Sequence, residues 1–469
     1  MQDLNITSET RQAYESLSAA NIKFLEYTGK KPELLTRLPF QELIEWQHAT
    51  SNVKLQPWPL FINQHTRHAF EEAAVMVFNL VKSIPRRVFS FDPHRISEYY
   101  HIPEDRVRYL MLGTSDKHIQ GLLGRGDFVF SPTGLKCIEY NATSTLGGWQ
   151  LPVWEAMYLK NPLITEFINT HHLEITNRNL VSILFAHLIA ITRESFPGED
   201  EINIAVAFYD PKLVESMAVH NQYLNHLYTS QLRQSSQGQQ LSGNLVFCTL
   251  NQLQITNDRL YYQNKRIHTI IDYAAGEIPL RLLALFKMGN LLIFNGPVSD
   301  IVSDKLSLSL LSELEDSDLF TVEERQTIKK YIPWTRKMIP GLTTYCQEEI
   351  NLEDFVRAHQ EQLVIKPASG HGGEGVIIGC HTPPDQWQKL VTEAFRQHQC
   401  LVQERIVSHP FLFQWGEKGC TEFEAVLGMF VYGSTYGGVW MRILPHTHSK
   451  GIINVIQGAQ VPIVLEVEE

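Results

Sequence analysis

The sequence predicts an α+β fold. Three observations carry that expectation. Apolar residues recur at helical spacing through about the first 115 residues. A β-hairpin is written into residues 124–150, and strand-like runs surround a glycine-rich loop between residues 363 and 443. Helical and strand-rich stretches therefore follow one another in blocks rather than in strict alternation.

Helices are expected over 10–27, 39–48, 69–83 and 104–112. Pro39 suits a first helical position, where its missing N–H costs nothing. Asp92 and Ser97 read as caps or turn residues beside a short helix. His65, His68, His94 and His101 repeat no ligand spacing, so solvated or capping histidines are expected there, not zinc.

Residues 124–150 read GRGDFVFSPTGLKCIEYNATSTLGGWQ. The stretch 125–130 alternates polar and apolar residues, and 135–141 does so more loosely. A three-residue loop, Pro132-Thr133-Gly134, fits a type I turn followed by a positive-φ residue. That loop pairs Ser131 with Leu135, Asp127 with Glu139 and Arg125 with Asn141. Residues two apart share a strand face, so all four polar groups of the last two pairs project from one side. Two carboxylates directly opposed repel each other. A divalent cation removes the conflict, and Mg²⁺ takes hard oxygens from one or two carboxylates plus phosphates. Asp127, Glu139 and the amide oxygen of Asn141 supply such a set, with Arg125 beside it for a phosphoryl or carboxylate oxygen. A solvated hairpin face is the plain alternative.

Further on, helices are expected over 151–159, 178–195 and 211–232, with a polar loop at 235–240. Strands are expected over 201–209, 244–250, 260–262 and 267–273, which suggests a small doubly wound α/β unit from about 200 to 300. Asn295-Gly296-Pro297 reads as a turn leading to Lys305 and a helix through Leu314.

The second chemical stretch is LVIKPASGHGGEGVIIG, residues 363–379. It holds G-x-G-x-x-G, yet β-branched residues follow where a dinucleotide fold needs a helix. Strand, glycine loop, strand describes a flap. Backbone N–H groups of Gly370, Gly372, Gly373 and Gly375 can approach phosphate oxygens closely, and Lys366 can set its ammonium on one. A mobile hairpin tip with a surface lysine is the alternative. Four glycines in six residues weigh against it, since that freedom is costly to order without a ligand. An amphipathic helix is expected over 384–397, and strands over 400–406, 421–430 and 439–443, with a turn at Tyr436-Gly437-Gly438.

Bulk composition narrows the class. At about 150 residues per domain, 469 residues suggest about three units. A net charge of −11 argues against nucleic-acid and acidic-membrane partners. Six cysteines without a CxxC pair read as reduced thiols of a cytoplasmic protein. No basic, apolar leader opens the chain, and no apolar run reaches the length of about 18 residues that spans a bilayer.

These residues carry a resemblance. Arg125-x-Asp127 with Glu139-x-Asn141, Lys337 in IPWTRKMIPG, VIKPASGHGGEGV, and Tyr436-Gly437-Gly438 leading to Arg442 resemble the circularly permuted ATP-grasp ligases of the glutathionylspermidine synthetase type. The resemblance covers roughly residues 123–443, and the metal motif precedes the lysines, as in the permuted family. It implies a permuted ATP-grasp fold with an N-terminal helical segment at 1–115. The metal hairpin and its helices would occupy 116–200, a small α/β unit 201–300, and the nucleotide-binding part 301–469. It implies a ligase that joins a carboxylate to an amine through an acyl phosphate, with ATP and Mg²⁺. Asp127, Glu139 and Asn141 would bind Mg²⁺. Lys337 and Lys366 would hold ATP phosphates under the glycine flap, and Gln403 and Glu404 would precede the adenine hinge. Arg125 and Arg442 would contact the transferring group. The family's loop often has a basic residue after its first glycine, and this chain has His371. Substrates would be small carboxylates and amines, amino acids or short peptides among them. A phosphotransferase that stops at a phosphorylated product, or a nucleotide-binding protein without catalysis, would use the same motifs.

Overall fold

Helix starts follow their caps. Ser18 is extended, with φ −175°, and its hydroxyl caps the helix Ala19–Gly29, so the stretch expected as one helix divides into Ser8–Leu17 and Ala19–Gly29. Asn63 caps the long helix Gln64–Arg87, and Asp92 caps Pro93–Tyr100 with Pro93 in the first turn. The computed structural model describes residues 6–30, 53–176, 178–235, 241–273, 277–370, 372–415, 419–448 and 451–468. The expected helix at 39–48 lies outside the described residues, as does His371 and most of the loop at 235–240.

Two short strands interrupt the region expected to be helical. Lys54–Leu55 and Leu60–Asn63 pair in parallel with Gln460–Val461 and Val464–Glu468 near the opposite end of the sequence. Their partners are hundreds of residues away, so no local pattern announces them.

The largest sheet has seven strands. Its path runs Lys54–Leu55, Gln460–Val461, Thr435–Pro445, Gly419–Tyr432, Leu123–Ser131 and Gly134–Asn141, and Phe411–Trp415 pairs off the side of Gly419–Tyr432. The hairpin differs from expectation at its turn. Ser131 pairs with Gly134 and Phe130 with Leu135, so the loop is only Pro132-Thr133. A bulge between the Asp127 and Phe128 pairs then leaves Ile138 as the extra residue, and beyond it Asp127 faces Glu139 and Arg125 faces Asn141. The expected pairing at the polar end is present because the bulge offsets the shorter turn.

The turn expected at Tyr436-Gly437-Gly438 lies inside the strand Thr435–Pro445 instead. The chain reverses at Gly433, with φ +62°, after Tyr432 pairs with Thr435. Val431 pairs with Tyr436 and Phe430 with Gly438, so Gly437 is a bulged residue. A Cβ there would meet Tyr432 Cε2 at 2.8 Å, which explains the glycine by close packing rather than by a turn.

A four-stranded parallel sheet, ordered Leu292–Phe294, Thr269–Asp272, Ile204–Phe208, Leu245–Thr249, fills the α/β unit expected at 200–300. Its central strand alternates between cores. Ile204, Val206 and Phe208 join the main core with Leu224 and Tyr228 of the helix Pro211–Gln234. Ala205 and Ala207 face Leu282 and Leu283 of the helix Leu280–Lys287. Helices thus cover both faces, as parallel sheets require.

The glycine loop belongs to a separate sheet. Thr335–Lys337, Cys400–Glu404, Leu363–Pro367 and Ile377–Ile378 form an antiparallel sheet in that order. The helix Pro384–Gln397, at its expected bounds, buries Trp387, Val391 and Phe395 in a core with Ile365 and Val402. Helices and sheets are both abundant, and the α+β expectation holds.

Candidate active site

Strand pairing sets the site. Glu139 pairs with Asp127, Asp127 with Gly428, and Gly428 with Trp440, so these residues form one row across four strands. Arg125 and Asn141 lie one step along the same face, and Arg442 lies two residues beyond Trp440. Gly428 makes the row possible: a Cβ there would fall 2.9 Å from Arg125 Cδ.

Asp127 is 5% exposed and sits between two guanidinium groups. Arg125 Nε lies 2.9 Å and Arg442 Nη2 2.8 Å from Asp127 Oδ1. Burial alone would raise the Asp127 pKa, but the fields of Arg125 and Arg442 outweigh it and hold the carboxyl below its ordinary value. Trp440 lies between the arginines, with each guanidinium carbon 5.6 Å from its ring centroid.

Glu139 has a different partner. Lys305 Nζ lies 3.4 Å from Glu139 Oε1 and donates to the Gly370 carbonyl at 2.7 Å. One buried ammonium thereby ties the hairpin to the first glycine of the flap. Sequence reading missed Lys305 as a site residue. It stands in a polar, serine-rich stretch with no motif around it, and only its contact with Glu139 marks it.

Lys366 reaches the hairpin from the other sheet. Its Nζ donates to the Ile138 carbonyl at 2.9 Å and to Gln403 Oε1 at 2.7 Å. Ile138 is the bulged residue, so the bulge presents the carbonyl that receives the lysine. Gln403 is itself fixed by Nε2 donating to Thr335 Oγ1 at 3.0 Å. Burial lowers the Lys366 pKa to about 8. Gln403 thus positions Lys366.

Lys337 and Lys366 both pair with Leu401 from opposite sides, so they share one sheet face. The Lys337 amine, however, donates to the Tyr99 carbonyl and lies 4.7 Å over the Tyr99 ring. It lines neither of the cavities that border Glu139, and on this geometry Lys305 is the lysine beside the hairpin.

Most of the remaining expected residues meet at one cavity, whereas Gly370 borders only the other cavity at Glu139 and Gly375 borders neither. One cavity of about 160 Å³ is lined by Arg125, Asp127, Glu139, Asn141, Lys366, Gly372, Gly373, Gln403, Glu404 and Arg442. Val364, Ile378, Ile406 and Val426 supply apolar wall. Gly370, Gly372, Gly373 and Gly375 all have positive φ, from +70° to +117°, which other residues adopt only with strain. Gly373 lies against Ile452, where a Cβ would approach Cγ2 to 2.5 Å.

The donor set suits a hard cation. Glu139 keeps a quarter of its side chain exposed, and Asn141 Nδ2 is buried without a hydrogen-bond partner, so no protein bond holds that amide nitrogen in place and the group can turn its oxygen to a cation. Among the described residues no group of three His, Cys, Asp or Glu gathers, so other oxygens, such as phosphates, would complete the shell.

No protein-family model matches the chain. Among curated proteins it is similar to "Putative glutamate--cysteine ligase 2-3" of Frankia alni, with 24% identity over 182 residues. That match covers 38% of this chain and spans about a fifth, 19%, of the relative's length. Among solved structures it is similar to a glutathione synthetase-like effector, GSS30, of Globodera pallida in its apo form. The TM-score is 0.57 at 12% identity, covering 92% of this chain and 98% of that one. The two chains therefore share a fold. A weaker likeness is to a structure titled "Putative gamma-glutamylcysteine synthetase" from Methylobacillus flagellatus KT, with TM-score 0.42, 9% identity, and coverage of 83% and 88%. No helix among the described residues is long and apolar enough to cross a membrane.

Proposed function

We propose that the chain is an ATP-dependent carboxylate–amine ligase with a circularly permuted ATP-grasp fold. The observation that carries this reading is the convergence of Asp127, Glu139, Asn141, Lys366, Gly372, Gly373 and Arg442 on one cavity. In this reading the division into 1–115, 116–200, 201–300 and 301–469 assigns the hairpin to one part and the flap to another, with the cavity between them. The six free cysteines support a reducing, cytoplasmic setting.

Glu139, Asn141 and Asp127 would hold Mg²⁺, which supplies charge neutralisation at the phosphates of ATP. Lys366, fixed by Gln403, meets a ground-state phosphate oxygen. Lys305 takes the role beside the hairpin first assigned to Lys337. Glu404 and Ile406 border the end of the cavity suited to adenine. The flap's N–H groups cover the phosphates. Arg125 and Arg442 steady charge on the transferring group and on the substrate carboxylate. The carboxylate attacks the γ-phosphate, and an amine then displaces phosphate from the acyl carbon to form the amide.

ADP release is the test. Pairs of small acids and amines, amino acids and short peptides included, are screened with Mg-ATP. A ligase releases ADP fully only when both an acid and an amine are present. Release with one substrate alone identifies a phosphotransferase, and Mg-ATP binding without release in any pair identifies a non-catalytic protein.

A further inference from the structure

A second cavity, of about 390 Å³, shares only Glu139 and Asn141 with the first. Its other walls come from helices Pro93–Tyr100 and Glu104–Leu110, from residues 300–305, and from Ala368, Ser369 and Gly370 at the root of the flap. The N-terminal segment, which has no other role in the site, thus builds a chamber that meets the phosphate side at two residues.

Its charges are unequal. The charged lining groups are Arg106, Glu139, Asp300, Asp304 and Lys305. Arg106 pairs with Asp300 at 3.3 Å and with Glu277 at 2.5 Å, and Lys305 lies 3.4 Å from Glu139. Among the described residues no ion pair joins Asp304. Its Oδ1 accepts the Leu306 N–H at 2.8 Å, which among the described residues is the one hydrogen bond of its side chain. Burial pushes its carboxyl up to about 7, against the backbone hydrogen bond and the fields of Lys305 and Lys337. A carboxylate held among protein atoms with no ion pair of its own is costly, and the fields of Lys305 and Lys337 do not cancel that cost. A ligand ammonium would offset that cost, and Thr143, Ser303 and Gln399 offer oxygens for its remaining hydrogens.

We propose that this chamber binds the amine-bearing substrate, with the Asp304 carboxylate as counter-ion of its ammonium group. Glu139 and Asn141 form the wall it shares with the phosphate-transfer cavity. The substrate role rests on the ligase reading, whereas ammonium binding does not.

The test separates the two. Binding of n-butylammonium and of neutral n-butanol to the full chain is measured by calorimetry without nucleotide. The ammonium binds at least about tenfold more tightly than the alcohol. Asp304→Asn retains an oxygen for the Leu306 N–H and removes the cost of the buried charge, so its melting temperature does not fall. It loses about tenfold or more in ammonium affinity, and Asp304→Glu restores part of it. In the ADP-release assay Asp304→Asn raises KM for the amine and leaves KM for ATP unchanged. Equal binding of ammonium and alcohol, or unchanged ammonium affinity in Asp304→Asn, overturns the proposal. Ammonium binding without amine-dependent ADP release in the wild type overturns the ligase reading and the substrate role with it.

Discussion

Arg442 Nη2 lies 2.8 Å from Asp127 Oδ1, and Arg125 Nε lies 2.9 Å from the same oxygen. Asp127 is thus the anion between two cations in a buried triad. Asp127→Asn leaves both guanidiniums without their counter-charge and costs about 3–5 kcal/mol at neutral pH. The sign follows from the depressed pKa. The carboxylate's contribution is complete above its unfolded value of about 3.9 and is lost as pH falls through the lower folded value. Urea titrations of both proteins at neutral pH and near pH 3 should therefore find the gap between them shrinking in acid. A gap independent of pH would remove the triad as its source.

Glu139→Gln tests the proposed cation site. Opposed carboxylates suggest that removing one charge should relieve repulsion. In the structure each carboxylate has its own cation, Arg125 and Arg442 for Asp127 and Lys305 for Glu139, so little repulsion remains to relieve. The unliganded protein should lose between about 0 and 1 kcal/mol, since Glu139 is partly exposed. Stabilisation by Mg-ATP should nearly disappear, and ADP release with it. Wild-type turnover in this variant would eliminate Glu139 as a ligand.

Lys366 predicts a pH dependence of nucleotide affinity. Its amine is lowered to about 8 by burial, below the unfolded value of about 10.4. In the free protein stability therefore rises with pH between those values, because the unfolded chain holds the extra proton. Affinity for Mg-ATP should run the other way and weaken as pH rises through about 8, where the ammonium is lost. Lys366→Arg, which stays charged, should flatten that profile whatever its absolute affinity. A wild-type profile level from pH 7 to 9 would mean that the Lys366 ammonium does not contact the nucleotide.

Gly428→Ala probes positioning at a distance from any substrate. The added Cβ would lie 2.9 Å from Arg125 Cδ and 3.3 Å from its Nε. Arg125 must shift away from Asp127, at a stability cost of about 1–3 kcal/mol. Turnover should fall well beyond what that loss explains, while Mg-ATP affinity changes little. A melting curve and ADP release measured on one preparation decide it: full activity would place Arg125 outside the reaction.

Much of the hairpin was legible in the sequence because its information is local. Period-2 alternation put Arg125 with Asp127 and Glu139 with Asn141 on shared strand faces, and the helix Pro384–Gln397 and the glycine loop were equally self-contained, although the expected Pro-Thr-Gly loop is two residues long. Even there, the pairing of Asp127 with Glu139 depends on a bulge at Ile138 that the alternation did not reveal. Tertiary packing decided the rest. Lys337 and Lys366 share a sheet row, yet only Lys366 points its amine at the hairpin, while the Tyr99 backbone takes the other. Lys305 reached Glu139, and Arg442 reached Asp127, through strand and helix packing between segments far apart in the chain. Local patterns fix which face a side chain occupies. Which distant group that face meets is set by register and packing between sheets, and a linear sequence does not display those.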